Sequence, residues 1–427
     1  LDAVVSILTK HRGGDYYAYE KDDTWHVGLS SHVSLIVGPD AKSATKIDHD
    51  CKKETVPIKG SINDAARAFV AEYSALGKIF GQVGFNYSAI SSGQAHHQSQ
   101  WPVLTLMVPR THVSVSEERI TVSGNFEDEV RSVSDFIKTH FAHGTSSTIS
   151  NVFISVDIQN DHDDYTSRVR RAIAKIKQGK YTKAIVSRMI NIPERVDMLA
   201  TLYHGRRANT PARTFTLSHA GMQATGFSPE VLLSIDGQVA YTEALAGTQL
   251  ANDTDSVTAH NALTNDPKEV MEHSIAIQGS IRRLNATCVS ESISVKNFMS
   301  IVRRGNVQHL FSHVTGTVKP GMDGWDALPG LVANITVPGI PGQGNMEAIE
   351  DFEPYPRDMY CGAVLLLDPA TEIFEASLVL RTVFQDQQRR WLQAGAGVTS
   401  LSSPEREFTE TCEKLSSIFP YVVAETK

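Results

Sequence analysis

Apolar positions along the chain follow two rhythms, and each predicts its own kind of element. Short apolar runs closed off by polar or turn residues read as strands. They fall at 33–38 and 103–108, at 152–156 and 183–190, then at 230–235, 307–312, 362–368, 374–383 and 391–395. The helical rhythm runs through 63–73. It returns in Tyr165, Val169, Ile173 and Ile176, one face of a helix that Gly179 ends. Phe408, Cys412, Leu415 and Phe419 make a further apolar stripe near the end. Many strands come as consecutive pairs, with helices interspersed irregularly. That order predicts an α+β fold with large antiparallel sheets, not a doubly wound parallel one. The polar stretch 141–149 is the best linker, dividing an N-terminal part, 1–150, from a region 151–427 of the same unit.

Helix starts are well marked. Asp266 is an N-cap, Pro267 fits the first helical position, and Glu269 takes the capping-box position; Ser403 and Pro404 repeat the pattern. Two acidic pairs follow these caps at i, i+3, Glu269 with Glu272 and Glu407 with Glu410, and Lys414 lies one turn further on. Carboxylates in a first turn complement the helix dipole. Two such turns facing each other would also make an all-oxygen site of the kind Mg²⁺ prefers. Glu269 has a competing capping role, so Glu272 is the better ligand candidate.

Composition narrows the function. The chain has 427 residues, 41% hydrophobic and 21% charged, which is a globular composition. A net charge of −8 without a basic cluster argues against nucleic acid. No apolar run reaches the roughly 20 residues that span a bilayer, and the start, Leu1-Asp-Ala-Val-Val5, lacks a signal-peptide pattern. Cys51, Cys288, Cys361 and Cys412 are scattered without a CxxC, which fits thiols in a reducing cytosol. His96-His97 sits in a polar segment that reads as an exposed loop, not a metal site. There is no GxGxxG after a strand and no internal repeat, which disfavours a dinucleotide fold.

Nine segments carry a resemblance: Tyr181-Thr-Lys-Ala-Ile-Val-Ser-Arg188, Gly226-Phe-Ser-Pro-Glu230, Thr242-Glu-Ala-Leu-Ala-Gly-Thr248, Lys268-Glu-Val-Met-Glu-His273, Val307-Gln-His-Leu310, Arg357-Asp-Met-Tyr-Cys-Gly-Ala363, Leu378-Val-Leu-Arg-Thr-Val383, Ala394-Gly-Ala-Gly-Val398 and the helix from Ser403 to Lys414. In this order they resemble the chorismate-utilising enzymes, which include anthranilate, aminodeoxychorismate, isochorismate and salicylate synthases. The stretches Arg303–Leu310, Thr336–Pro341 and Leu378–Phe384 are most similar to the salicylate-forming members. The resemblance implies large antiparallel sheets packed face to face with helices outside, and the active site between them.

It also implies roles. Lys183 matches the lysine that activates water, and a lysine is a base only in its neutral form. Glu230 matches the acid that protonates the departing C4 hydroxyl. Tyr360 and Arg381 match residues that hold the enolpyruvyl carboxylate. Gly247, Thr248, Ala394, Gly395 and Gly397 would bring backbone N–H groups to the ring carboxylate. His309 and Thr336 flank the ring, and Lys414 balances charge or touches a substrate carboxylate. Mg²⁺ would be held by Glu272, Glu407 and Glu410, with Glu269 nearby. Each residue also has a plainer reading: surface lysine, surface glutamate, packed histidine or bulge glycine.

The implied activity is conversion of chorismate through isochorismate to salicylate and pyruvate. An isochorismate synthase that stops halfway is the alternative; amination to anthranilate and a non-catalytic binding module are weaker. The partner expected is a small molecule, with neither nucleic acid nor membrane, for a cytoplasmic monomer or weak dimer. Salicylate in this family commonly enters siderophores. Four positions depart from the family pattern: Ala244, Asp358, Pro338 and Gly342.

Overall fold

A computed structural model of the chain describes residues 1–94, 99–142, 149–180, 183–250, 261, 263–305, 307–332, 349 and 351–426. Two long strands, Thr24–Val37 and Leu104–Val115, form its spine. They pair antiparallel from Trp25 opposite Val115 to Val37 opposite Leu104. Each changes its outer partner midway. Thr24–Val37 pairs first with Tyr16–Lys21 and then with Ser43–Asp48. Leu104–Val115 pairs first with Ile79–Val83 and then with Ile120–Gly124. The switch has a local cause. Ser30 is left-handed at φ 56°, and the register slips between Ser31 and Val33, where Pro109 stands opposite. A bulge bends a strand, and proline has no N–H to lose there.

Two antiparallel sheets grow from this spine. The first continues through Tyr16–Lys21, Arg213–His219, Met222–Ser228, Thr382–Gln385, Arg390–Val398 and Ala184–Asn191. The second continues through Ile79–Val83, Ala363–Asp368, Ile373–Leu378, Val231–Asp236, Val239–Leu250, Val307–Thr317 and Ser294–Arg304. No pairing among the described residues closes the ladder into a ring. The N-terminal strands therefore pair with strands from the later sequence in both sheets.

The core lies in three layers. Tyr17, Tyr19, Phe80, Phe215, Phe384 and Trp391 fill the space between the sheets. Outside the first sheet, the helices Asp2–Lys10 and Met198–Ala208 pack on Tyr16, Ala18 and Val27. Outside the second, Ile62–Tyr73, Pro267–Thr287 and Gly324–Val332 pack on Leu233, Leu365 and Ala376. Tyr16 to Tyr19 alternate between the middle and outer layers and are all buried. Such strands read as continuous apolar runs, because neither face meets water. Each large side chain so buried contributes roughly 1.5–3 kcal/mol.

The α+β expectation of antiparallel sheets with outer helices holds. Three local expectations need correction. The run 152–156 forms no strand; Phe153 makes only an isolated bridge to Val423, and Val152 and Phe153 are exposed. The run 374–383 is two strands, Ile373–Leu378 in the second sheet and Thr382–Gln385 in the first. The chain crosses between sheets at the break, where Arg381 is left-handed at φ 51°. The last helix, Pro404–Leu415, stops before Phe419, which opens a separate 3-10 turn. Most of the 141–149 linker lies outside the described residues, as does His96-His97.

Candidate active site

The crossing at Arg381 opens a cleft of about 140 Å³ lined by Ile185, Glu230, Leu245, His309, Tyr360, Arg381, Gln393, Ala394, Gly395 and Lys414, among others. Seven residues singled out from sequence thus share one cavity: Glu230, His309, Tyr360, Arg381, Ala394, Gly395 and Lys414. The strand break aims Arg381 inward, and its guanidinium is held from two sides. Nη1 donates to the Arg304 carbonyl at 2.8 Å, and Nη2 lies 3.1 Å from His309 Nε2. Arginine only donates, so that histidine nitrogen accepts, and the ring is neutral. Burial first, then the Arg381 charge, hold the His309 pKa well below the ordinary value, and the ring also bonds the Gly247 backbone.

Gly247 is left-handed at φ 80°, at the register slip between Ala246 and Thr248. Glycine suits that bulge, and past the slip Thr248 stands opposite His309 in the ladder. Tyr360 is buried in the turn that leads into Ala363–Asp368. The departure Asp358 is explained in the same turn. It is left-handed at φ 48°, which aspartate tolerates better than most residues. Its carboxylate accepts from Ser99 Oγ at 2.7 Å, from the N–H groups of Gln100 and Trp101, and from Arg389 at 3.0 Å.

Glu230 stands at the entry of Val231–Asp236. Burial pushes its carboxyl pKa well above the ordinary range, the Glu243 charge adds to this, and a bond from the Leu245 backbone opposes it. Lys414 donates to the Gly395 carbonyl at 2.9 Å and to Glu410 Oε1 at 2.7 Å.

Lys183 precedes the strand Ala184–Asn191, and its Nζ is 3.9 Å from Glu272 Oε2. A Cβ added at Gly397 would lie 2.8 Å from Lys183 Cε. Gly397 therefore leaves room for the lysine. A Cβ at Gly395 would lie 2.9 Å from the Val186 carbonyl, so that glycine answers close strand packing.

The four acidic residues lie on two helices next to site residues, and none of them is among the residues lining the cleft. Glu272 lies in Pro267–Thr287 and meets Lys183, while Glu269 flanks Gly247, where an added Cβ would be 3.4 Å from the Glu269 Cβ. Glu407 is only 2% exposed on Pro404–Leu415, and with Glu410 its charge helps raise the Tyr165 pKa, after burial. Among the described residues, no three histidine, cysteine or acidic side chains converge as a ready ligand set. The donors are all carboxylate oxygen, which fits Mg²⁺, a cation that takes one or two protein carboxylates and keeps several waters. Thr336, Pro338 and Gly342 lie outside the described residues. Ala244 is a buried strand residue opposite Ser312.

Four further residues, Gln393, Arg357, Glu353 and Glu243, shape the site without having been assigned a role from sequence. Gln393 lines the cleft, its amide N donating to Ser187 Oγ at 2.8 Å. Its buried Oε1 has no partner among the described residues. Arg357 and Glu353 form a buried pair, 2.6 Å at the closest, that also bonds the Ile185 carbonyl and the Ser187 N–H. Glu243 is buried beside Glu230. The available signal was weak but real: a polar residue inside an apolar run for Gln393 and Glu243, and opposite charges at i, i+4 for the pair.

Residues 14–420 match the family described as chorismate binding enzyme, and the chain belongs to that family. It is 31% identical to a salicylate synthase of Mycolicibacterium paratuberculosis, over 98% of this chain and 92% of that protein. It is likewise 31% identical to anthranilate synthase component 1 of Methanothermobacter thermautotrophicus, but over 60% of this chain and 55% of that one. Two solved structures share the fold. Anthranilate synthase component I from Streptococcus pneumoniae has a TM-score of 0.78 at 19% identity, covering 93% of this chain and 92% of its own. The menaquinone-specific isochorismate synthase of Escherichia coli has a TM-score of 0.73 at 21% identity, covering 98% and 90%. Among the described residues, no helix is long and apolar enough to cross a membrane.

Proposed function

We propose that this chain is a Mg²⁺-dependent salicylate synthase. The observation that carries the reading is a cleft that holds one half-buried carboxyl, Glu230, with its pKa raised, while presenting two cations, Arg381 and Lys414. Chorismate suits such a cleft. It brings two carboxylates for the cations and a hydroxyl that leaves only when protonated. The salicylate synthase relative, alike over almost the whole chain, supports the same choice.

In the first step Lys183 takes a proton from a water that attacks C2. Glu230 gives its proton to the departing C4 hydroxyl, and the ring double bonds shift to give isochorismate. Water is consumed and released, and the two side chains exchange their protons with solvent. In the second step the hydrogen on C2 passes to the enolpyruvyl methylene carbon as the C3–O bond breaks. That leaves salicylate and pyruvate. Arg381 and Tyr360 would hold the enolpyruvyl carboxylate and orient it for this transfer. Glu272, Glu407 and Glu410 would hold Mg²⁺, with Glu269 close by. When bound, the ion would supply positive charge for the ring carboxylate.

Incubation with chorismate and Mg²⁺ tests this reading, with salicylate and pyruvate expected in equal amounts. Isochorismate accumulating without pyruvate would replace it with an isochorismate synthase. Lys183→Gln should stop use of chorismate yet still release pyruvate from supplied isochorismate. Normal chorismate turnover by that variant would refute the base.

A further inference from the structure

Glu230 sits where the ladder around it gives way. Val231–Asp236 pairs with Val239–Leu250 only from Ser234 opposite Tyr241 to Asp236 opposite Val239. Its register against Ile373–Leu378 slips between Val231 and Leu233. The N–H of Val231 is taken by a side chain, Glu243 Oε2, at 2.8 Å. Glu243 is 6% exposed, and its other oxygen is 3.4 Å from Nε2 of His313, its cross-strand neighbour. On the other flank Arg304 Nε donates to the Pro229 carbonyl at 3.0 Å. The peptide units on both sides of Glu230 are thus clamped by charged side chains.

We propose that Glu243 is a positioning residue for Glu230: it anchors the strand entry through the Val231 N–H and places a negative charge behind the acid. This rests on Glu230 being the proton donor. The groups that face Glu230 divide clearly. Arg304 and Arg283 lower its pKa, and Arg381, Lys414 and the neutral His309 share its cleft. Against these cations, the Glu243 charge raises it, second to burial. A carboxyl amid arginines keeps its proton more readily with a carboxylate beside it.

The geometry separates the two effects. Glu243→Gln keeps an oxygen for the Val231 N–H and removes the charge; Glu243→Leu removes both. Glu230 works protonated, so the rate holds below its pKa and falls as pH rises through it. Loss of the Glu243 charge lowers that pKa. The alkaline limb of kcat for chorismate should move down by about one pH unit, and the loss should be recovered as the pH is lowered. KM should change little. Glu243→Leu should lose rate at every pH without that recovery. An infrared titration of the Glu230 carboxyl band, identified by its loss in Glu230→Gln, should show the same downward shift in Glu243→Gln, without depending on turnover. An unshifted band and limb in a normally melting Glu243→Gln protein would overturn the proposal. Undiminished chorismate use by Glu230→Gln is a different result: it removes the proton donor itself.

Discussion

Chemistry at the residue scale turns on small amounts of space. Lys183 reaches Glu272 because Gly397 has no side chain. Gly397→Ala should push the lysine tip aside while the backbone stays in place, since only the end of a flexible side chain must move. Chorismate turnover should fall roughly tenfold to a hundredfold, as expected when a reacting group is misplaced by about an ångström. Stability should change by less than about 1 kcal/mol, since nothing in the core is displaced. Steady-state kinetics beside a denaturant melt would check both, and an equal loss in the two would count against the role. Lys183 and Glu230 were legible as residue types in motifs. Gly397's service to Lys183 was not, because no spacing rule tells which side chain fills the room a glycine leaves.

Elements decide which of these side chains meet. The turn before Ala363–Asp368 places Tyr360, and Asp358 fixes that turn by bonds to 99–101 and Arg389. Asp358→Ala should lose those bonds and strain a left-handed position. Asp358→Gly loses the same bonds without the strain. Both should be destabilised by about 2–4 kcal/mol, alanine by about 1 kcal/mol more than glycine. Denaturant melts give the ordering, and equal values would remove the backbone argument. The caps at Asp266 and Ser403 were readable from sequence because capping is local, and the helices Pro267–Thr287 and Pro404–Leu415 follow them. The break within 374–383 was hidden. Leu378-Val-Leu-Arg-Thr-Val383 keeps a strand-like composition while the chain changes sheets, and left-handed backbone at Arg381 leaves no mark in residue type.

At the scale of the whole molecule, two sheets share one bent spine and close over an aromatic middle layer. One buried histidine, His219, and two half-buried ones, His26 and His112, tie that arrangement to pH. His219 bridges Ser34 and Tyr17, and His26 stacks on His112 at 5.6 Å. Burial lowers His26 and His219 to about 4 and His112 to about 3. Folded values below the unfolded value near 6.5 mean the unfolded chain binds protons first. The stability these neutral rings contribute is complete above about pH 6.5. It declines as pH falls towards 4 and 3. The melting temperature should drop across that window, and His26→Gln with His112→Gln should flatten the drop; an unchanged slope would exclude these rings as its source. Sequence by itself determined the fold class, the cap positions and the residues of the motifs. Periodicity, capping and motif spacing are properties of neighbours along the chain. Only the tertiary structure decided that Arg381 stands where the chain changes sheets, that Gly397 makes room for Lys183, and that Glu243 backs Glu230. Those facts depend on pairing between strands far apart in sequence, which no local pattern encodes.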